Sequence, residues 1–274
     1  LLGIVLTAPA LLRGAAGRAG VVAVEGRANA NASIAARGRS MGLAWTAATD
    51  GGGTDVYVAT SRDGGSTFGA PRRVNQVAGD VSVSGEQPPR VALVPLAGAD
   101  PSVVVVWTAK APAGTRLLSA RSDDGGRSFT QSVLSDAPGG RGWASIATDR
   151  DGRVIAVWLD HRELATAKTA SAPMGRGEHQ HMASDAPQAD GVARAQLSKL
   201  FVGWLDDPAR VRAVASGVCY CCKTAIATDA RGGVFAAWRH VYEGNMRDIA
   251  FTMSSDAGRT FTQPVRVSED HWAI

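Results

Sequence analysis

The 274-residue sequence predicts an all-β fold built from four-stranded antiparallel blades, and three observations carry that prediction. An eight-residue pattern, Ser-x-Asp-x-Gly-x-[Ser/Thr]-Phe, is written three times, at 61–68, 122–129 and 254–261. A short apolar run closing on tryptophan is written four times, at Trp45, Trp107, Trp158 and Trp238. The interval between the two features is nearly constant: 18 residues from Trp45 to Asp63, 17 from Trp107 to Asp124 and 18 from Trp238 to Asp256. Self-similarity at long period marks a repeat architecture, whose units bury their faces only against one another. For blades of short antiparallel strands, the closed form is a β-propeller.

Taken in order, residues 1–12 form an apolar run followed by the small residues Ala15, Ala16, Gly17, Ala19 and Gly20. This reads as the apolar and cleavage regions of a secretory signal, so residues 1–20 are expected to be a signal remnant and the protein secreted or periplasmic. A buried strand is the other reading, and the run is too short for a stable membrane span. Residues 21–274 form the propeller domain, with blades at about 32–75, 90–135, 144–215 and 224–268. In each blade, strand A (32–36, 90–94, 144–148, 224–228) is short and apolar. Strand B ends at the tryptophan, strand C runs into the repeated loop, and strand D follows it. The third blade departs from the rule: an Ala-, Gly-, Ser- and Pro-rich insertion without regular structure spans 164–192, strand C covers 193–204, and the loop is reduced to Asp206-Asp207-Pro208. A fifth blade opens at Asp270-His271-Trp272.

The repeated loop has the chemistry of a turn. Its carboxylate accepts backbone N–H groups, its glycine supplies positive φ, and its phenylalanine tucks back between strands. Asp63, Asp124 and Asp256 are therefore structural. In an antiparallel blade successive connections alternate between two faces, so these loops share one face and the reactive residues gather on the other. The connections after strand B carry Asp160, His161, Arg162 and Glu163, and then Arg239, His240, Tyr242, Glu243, Arg247 and Asp248. The links from D to A carry Arg90, Arg141 and Trp143, the run Cys219-Tyr220-Cys221-Cys222, and His271.

The pattern is that of the Asp box, and on it the chain resembles the sialidase (neuraminidase) superfamily. The resemblance implies a six-bladed ring, of which about four blades are present here. It also implies an exo-glycosidase that hydrolyses a terminal sialic acid or a related acidic sugar without a cofactor. Arginines would grip the substrate carboxylate bidentately, a role open to Arg90, Arg141, Arg162, Arg239 and Arg247. A tyrosine assisted by a glutamate would be the nucleophile and a carboxylic acid the proton donor. Tyr242 with Glu243, and Asp160, Glu163 or Asp248, are of the right types. The family's Arg-Ile-Pro segment does not occur in the chain.

Three cysteines, an odd number, leave a structural disulfide, a metal site and buried thiols all open. Thiolates with imidazoles suit copper or zinc, and Cys219, Cys221, Cys222, His161, His240 and His271 are the candidate ligands. His179, His181 and Met182 in the insertion could also hold copper. A net charge of +4 with no dense basic run argues against nucleic acid as a partner. A glycan or glycoconjugate is the expected partner. Two further functions remain beside hydrolysis: a non-catalytic propeller binding glycan or protein, and a Cys/His metal centre.

Overall fold

The computed structural model describes residues 20–135, 139–171 and 188–268. The proposed signal stretch through residue 19, the His179 to Met182 segment, and the start of a fifth blade with Asp270 and His271 lie outside them.

Among the described residues, sixteen strands form four sheets of four, each in chain order and antiparallel throughout. The first blade is β1 (Ala28–Arg37), β2 (Ser40–Ala48), β3 (Thr54–Ser61) and β4 (Arg72–Arg73). The second is β5 (Arg90–Val94), β6 (Ser102–Ala111), β7 (Gly114–Ser122) and β8 (Thr130–Ser135). The third is β9 (Arg141–Thr148), β10 (Val154–Asp160), β11 (Lys199–Trp204) and β12 (Asp207–Ala215). The fourth is β13 (Thr224–Thr228), β14 (Val234–Val241), β15 (Arg247–Ser254) and β16 (Val265–Arg266). Along the axis β1 meets β5, β5 meets β9 and β9 meets β13, so the first strand of each blade is innermost. The fold is the β-propeller expected from the repeats.

Apolar cores lie between blades. Val56 and Val58 of the first blade join Val91, Val103 and Val105 of the second, while Ile155, Leu200 and Trp204 of the third join Val234, Ala236 and Trp238 of the fourth. A sheet covered on both faces needs apolar residues on both sides of its strands. This is why Val103, Val104, Val105 and Val106 are all buried in succession. The fourth blade leaves Ile249, Val265 and Val267 exposed.

The three repeated loops share one set of hydrogen bonds. Asp124 accepts Ser122 Oγ at 2.7 Å, the Ser128 amide at 3.0 Å and Ser128 Oγ at 2.6 Å, and Asp63 and Asp256 repeat the set. These bonds hold all three carboxyls well below the usual carboxylate range. The repeated loops of the second and fourth blades also clasp the blade before them. Thr60 of β3 donates to the Gly125 carbonyl at 3.0 Å, and Gly258 sits so close to the Trp204 ring of β11 that a side chain there would collide with it.

The structure changes four boundaries. Each strand B runs three residues past its tryptophan, or four in β6, or two in β10, so Asp160, Arg239 and His240 stand in strands and not in loops. Arg141, Trp143, Arg247 and Asp248 are likewise strand residues, and Arg90 opens β5 where strand A was expected to begin. The insertion is helical at both ends, as α1 (Arg162–Ser171) and α2 (Gln188–Gln196), because its alanines favour helix, and α2 does so in spite of Gly191. The third blade's strand C therefore starts at Lys199 and not at 193. In place of an Asp box, Trp204 pairs with Asp207 across a tight turn that Arg153 fastens by two bonds to Asp206.

Candidate functional site on the loop face

Backbone pairing sets the site. The end of β10, the link from β12 to β13 and the end of β14 come to the face opposite the Asp boxes, through Arg141 paired with Asp160 and Val218 with His240. At its centre Asp160 is fully buried between two guanidiniums. Arg162 grips it bidentately at 2.9 and 2.6 Å, and Arg141, with a side chain no more exposed, approaches to 3.1 Å. Burial alone would raise the Asp160 pKa, but the Arg162 bonds and the Arg141 charge outweigh it and hold the carboxyl below its usual range. Arg141 further donates to Ser135 Oγ and the Gly139 carbonyl, and Arg162 lies over the Phe201 ring. Both arginines, expected as carboxylate grips for a ligand, are thus bound to a carboxylate of the chain itself. A proton donor must be protonated near its working pH, and this pair of cations keeps Asp160 ionised.

Beside this triad β9 bulges. Ser145 pairs with Val157 and Gly142 with Leu159, so two residues, Trp143 and Ala144, stand against the one residue Trp158. Trp143 takes the left-handed conformation, φ +54°, which is an outlier for an aromatic residue. Its carbonyl accepts Thr224 Oγ1 of the next blade at 2.6 Å, which holds the bulge in place. Bulges re-aim side chains beside functional sites. Here the Trp143 ring comes to 5.4 Å from the His161 ring, and together they border an open hollow of about 390 Å³. Arg194 of α2, its guanidinium 5.3 Å over the Tyr220 ring, and Cys221 complete the wall. Arg194 and Tyr220 were not singled out by sequence. Arg194 reaches the site only because α2 folds back over the link, and no local pattern announces that.

The three thiols of that link cluster. Cys219 Sγ lies 3.8 Å from Cys221 Sγ and 2.9 Å from Cys222 Sγ. Cys219 is buried under Val192 and Ala195 of α2 and Val241 of β14, and Cys221 is exposed. Hydrogen bonds from its two neighbours pull the Cys219 thiol down, with Arg247 adding to the effect, while Cys221 is pushed up by the same contacts. Neither His161 nor His240 joins the thiols among the described residues.

The remaining candidates stand apart. Tyr242 packs on His240 at 4.4 Å between ring centroids, and Arg266 covers its other side at 4.6 Å. Arg266 also pairs with the buried Asp248. Burial raises the Tyr242 pKa and lowers that of His240. Because Arg266 belongs to the outermost strand, β16, this group sits at the rim of the blade, whereas Arg90 heads the innermost strand β5 and donates to the Ala144 carbonyl of β9 at 2.8 Å. Glu163 pairs with Lys199 at 2.6 Å, and Glu243, in a short 3-10 turn (Glu243–Asn245), is exposed. Arg239 and Arg247 flank the thiols.

No protein-family model and no curated protein matches the chain. Solved structures similar to it include two glycosidases. One is an α-L-arabinofuranosidase of Fusarium graminearum bound to an iminosugar inhibitor, 11% identical over 83% of this chain and 63% of that one, with a TM-score of 0.50. The other is a Hadza microbial sialidase, 15% identical over 87% of this chain and 47% of that one, with a TM-score of 0.51. The likeness is one of fold: the chain has the propeller of these glycosidases and spans about two-thirds of the first one's length and half of the second's.

Proposed function

We propose that the protein is a glycosidase-like propeller that recognises a terminal acidic sugar on its loop face. The observation that supports this best is the hollow itself. It is concave, opens opposite the Asp boxes, and joins two aromatic walls, Trp143 and Tyr220, to one cation, Arg194. Aromatic faces suit the C–H face of a pyranose, and a guanidinium suits a carboxylate held bidentately. Sialic acid is the finer form of the reading, and export through the apolar run at residues 1–12 belongs with it.

Recognition, and not turnover, is the activity that these residues favour. Asp160 and Asp248 are each paired with arginine, and Tyr242 is shielded and raised in pKa, so a nucleophile and a proton donor do not converge with the arginine grips. The test is to titrate the protein with sialic acid, glucuronic acid and galactose by calorimetry, with a fluorogenic sialoside assayed in parallel. Acidic sugars should bind, galactose should not, and the sialoside should remain uncleaved. Equal binding of all three, or of none, would discard the acidic-sugar reading. Turnover would instead restore exo-glycosidase chemistry and move attention to Tyr242 and Glu243.

A further inference from the structure

The link between the third and fourth blades carries a feature that sugar recognition does not use. Cys219, Cys221 and Cys222 place three sulfur atoms within 4.8 Å of one another, and no imidazole or carboxylate joins them among the described residues. The cluster is fixed from two sides. The Cys219 amide donates to the Arg239 carbonyl at 2.8 Å, and α2 packs on Cys219 and Cys222 through Val192 and Ala195. Two cations stand beside it. Arg239 Nη1 is 3.9 Å from Cys222 Sγ, and Arg247, whose Nε is buried and makes no hydrogen bond, acts on Cys219.

We propose that Cys219, Cys221 and Cys222 bind one monovalent copper ion in a three-coordinate thiolate site. Three arguments lead there. Thiolates are soft donors and select Cu(I), zinc or iron–sulfur clusters. Structural zinc takes four ligands in a tetrahedron, and among the described residues no histidine or carboxylate joins the three thiols as a fourth. His240 pairs with Val218, one residue before Cys219, so by strand alternation its ring stands on the opposite side from Cys219 and packs against Tyr242. Three ligands are what trigonal Cu(I) needs. The third argument is charge. One Cu(I) with three thiolates carries a net charge of −2, and Arg239 and Arg247 supply two positive charges beside it. Binding releases to solvent the protons that the thiols still carry, reached through the exposed Cys221, and no sulfur is oxidised. The ion would tie three positions of one short link together beneath α2 and fix Cys221 at the edge of the hollow.

The experiment is anaerobic titration of the fully reduced chain with Cu(I) against a Cu(I)-specific chelator, with zinc as a parallel arm. One copper per chain should be retained, and the melting temperature should rise with copper, because a ligand of the native state stabilises it. Cys219→Ser alters a buried residue, so the decisive variant is Cys221→Ser at an exposed position. It should melt like the metal-free wild type and lose at least about 100-fold in copper affinity, consistent with the loss of one of three ligands. Unchanged affinity in Cys221→Ser, stoichiometric zinc in preference to copper, or oxidation to a Cys219–Cys222 disulfide in place of copper retention would each overturn the proposal.

Discussion

Arg141 and Asp160 face each other 3.1 Å apart across β9 and β10, and solvent reaches neither side chain. The guanidinium expected to grip a sugar carboxylate is instead held by a carboxylate of the chain itself. Removing one member of such a pair leaves an uncompensated buried charge. Asp160→Asn should therefore cost about 3–5 kcal/mol in denaturant unfolding at neutral pH. The sign with pH follows from the depressed pKa. The stabilisation is present above the unfolded carboxyl value of about 4 and is lost as pH falls through the lower folded value. Wild type and Asp160→Asn should thus converge as the solution is acidified. A variant as stable as wild type at pH 7 would mean that the pair is dispensable.

Asp124 predicts a different pattern, because its partners are hydroxyls and amides of its own loop. Asp124→Ala should lower stability by about 1–2 kcal/mol, the scale of a lost helix cap, which is a few degrees in melting temperature. Sugar binding should be unaffected, since the loop lies on the opposite face. The gap from wild type should narrow below the ordinary carboxylate range, where Asp124 itself becomes protonated. Loss of sugar binding with unchanged melting would contradict a structural role.

The repeated loop of the fourth blade carries a strained residue that the other two lack. Where they have Gly64 and Gly125, at φ +76° and +75°, it has Ala257 at φ +54°. A left-handed conformation costs a residue with a β-carbon roughly 1–2 kcal/mol. Ala257→Gly should stabilise the protein by about 1 kcal/mol after the extra freedom of glycine in the unfolded chain is allowed for. Thermal unfolding reads this directly; a lower melting temperature would mean that Ala257 contributes packing that outweighs its strain.

These boxes and tryptophan intervals were legible because turn chemistry and strand alternation are local. The strand A limits of the second and fourth blades, 90–94 and 224–228, were readable for the same reason. The chemistry of the loop face was not. Whether Asp160 meets a ligand or Arg141 depends on the register of β10 against β9, and the Trp143 bulge resets that register by one residue. The one local signal is Gly142, since a glycine inside a strand often marks a bulge, but it does not say which way the register shifts. Arg194 lay hidden for another reason: it is carried to Tyr220 by a helix whose last turn read as the start of strand C.

Arg194 gives the sharpest test of acidic-sugar recognition. It is half-buried, stacks on Tyr220, and forms no ion pair among the described residues, so its charge is available to a ligand. Arg194→Ala should leave the fold intact, because it removes a stacked surface side chain and not a core one. A hydrogen bond to a charged group is worth about 1.5–3 kcal/mol, so affinity for an acidic sugar should fall by at least about tenfold. The methyl ester of the same sugar, which lacks the charge, should bind wild type and variant alike. If the ester loses as much affinity as the acid, Arg194 acts through packing on Tyr220 and the hollow does not select for a carboxylate.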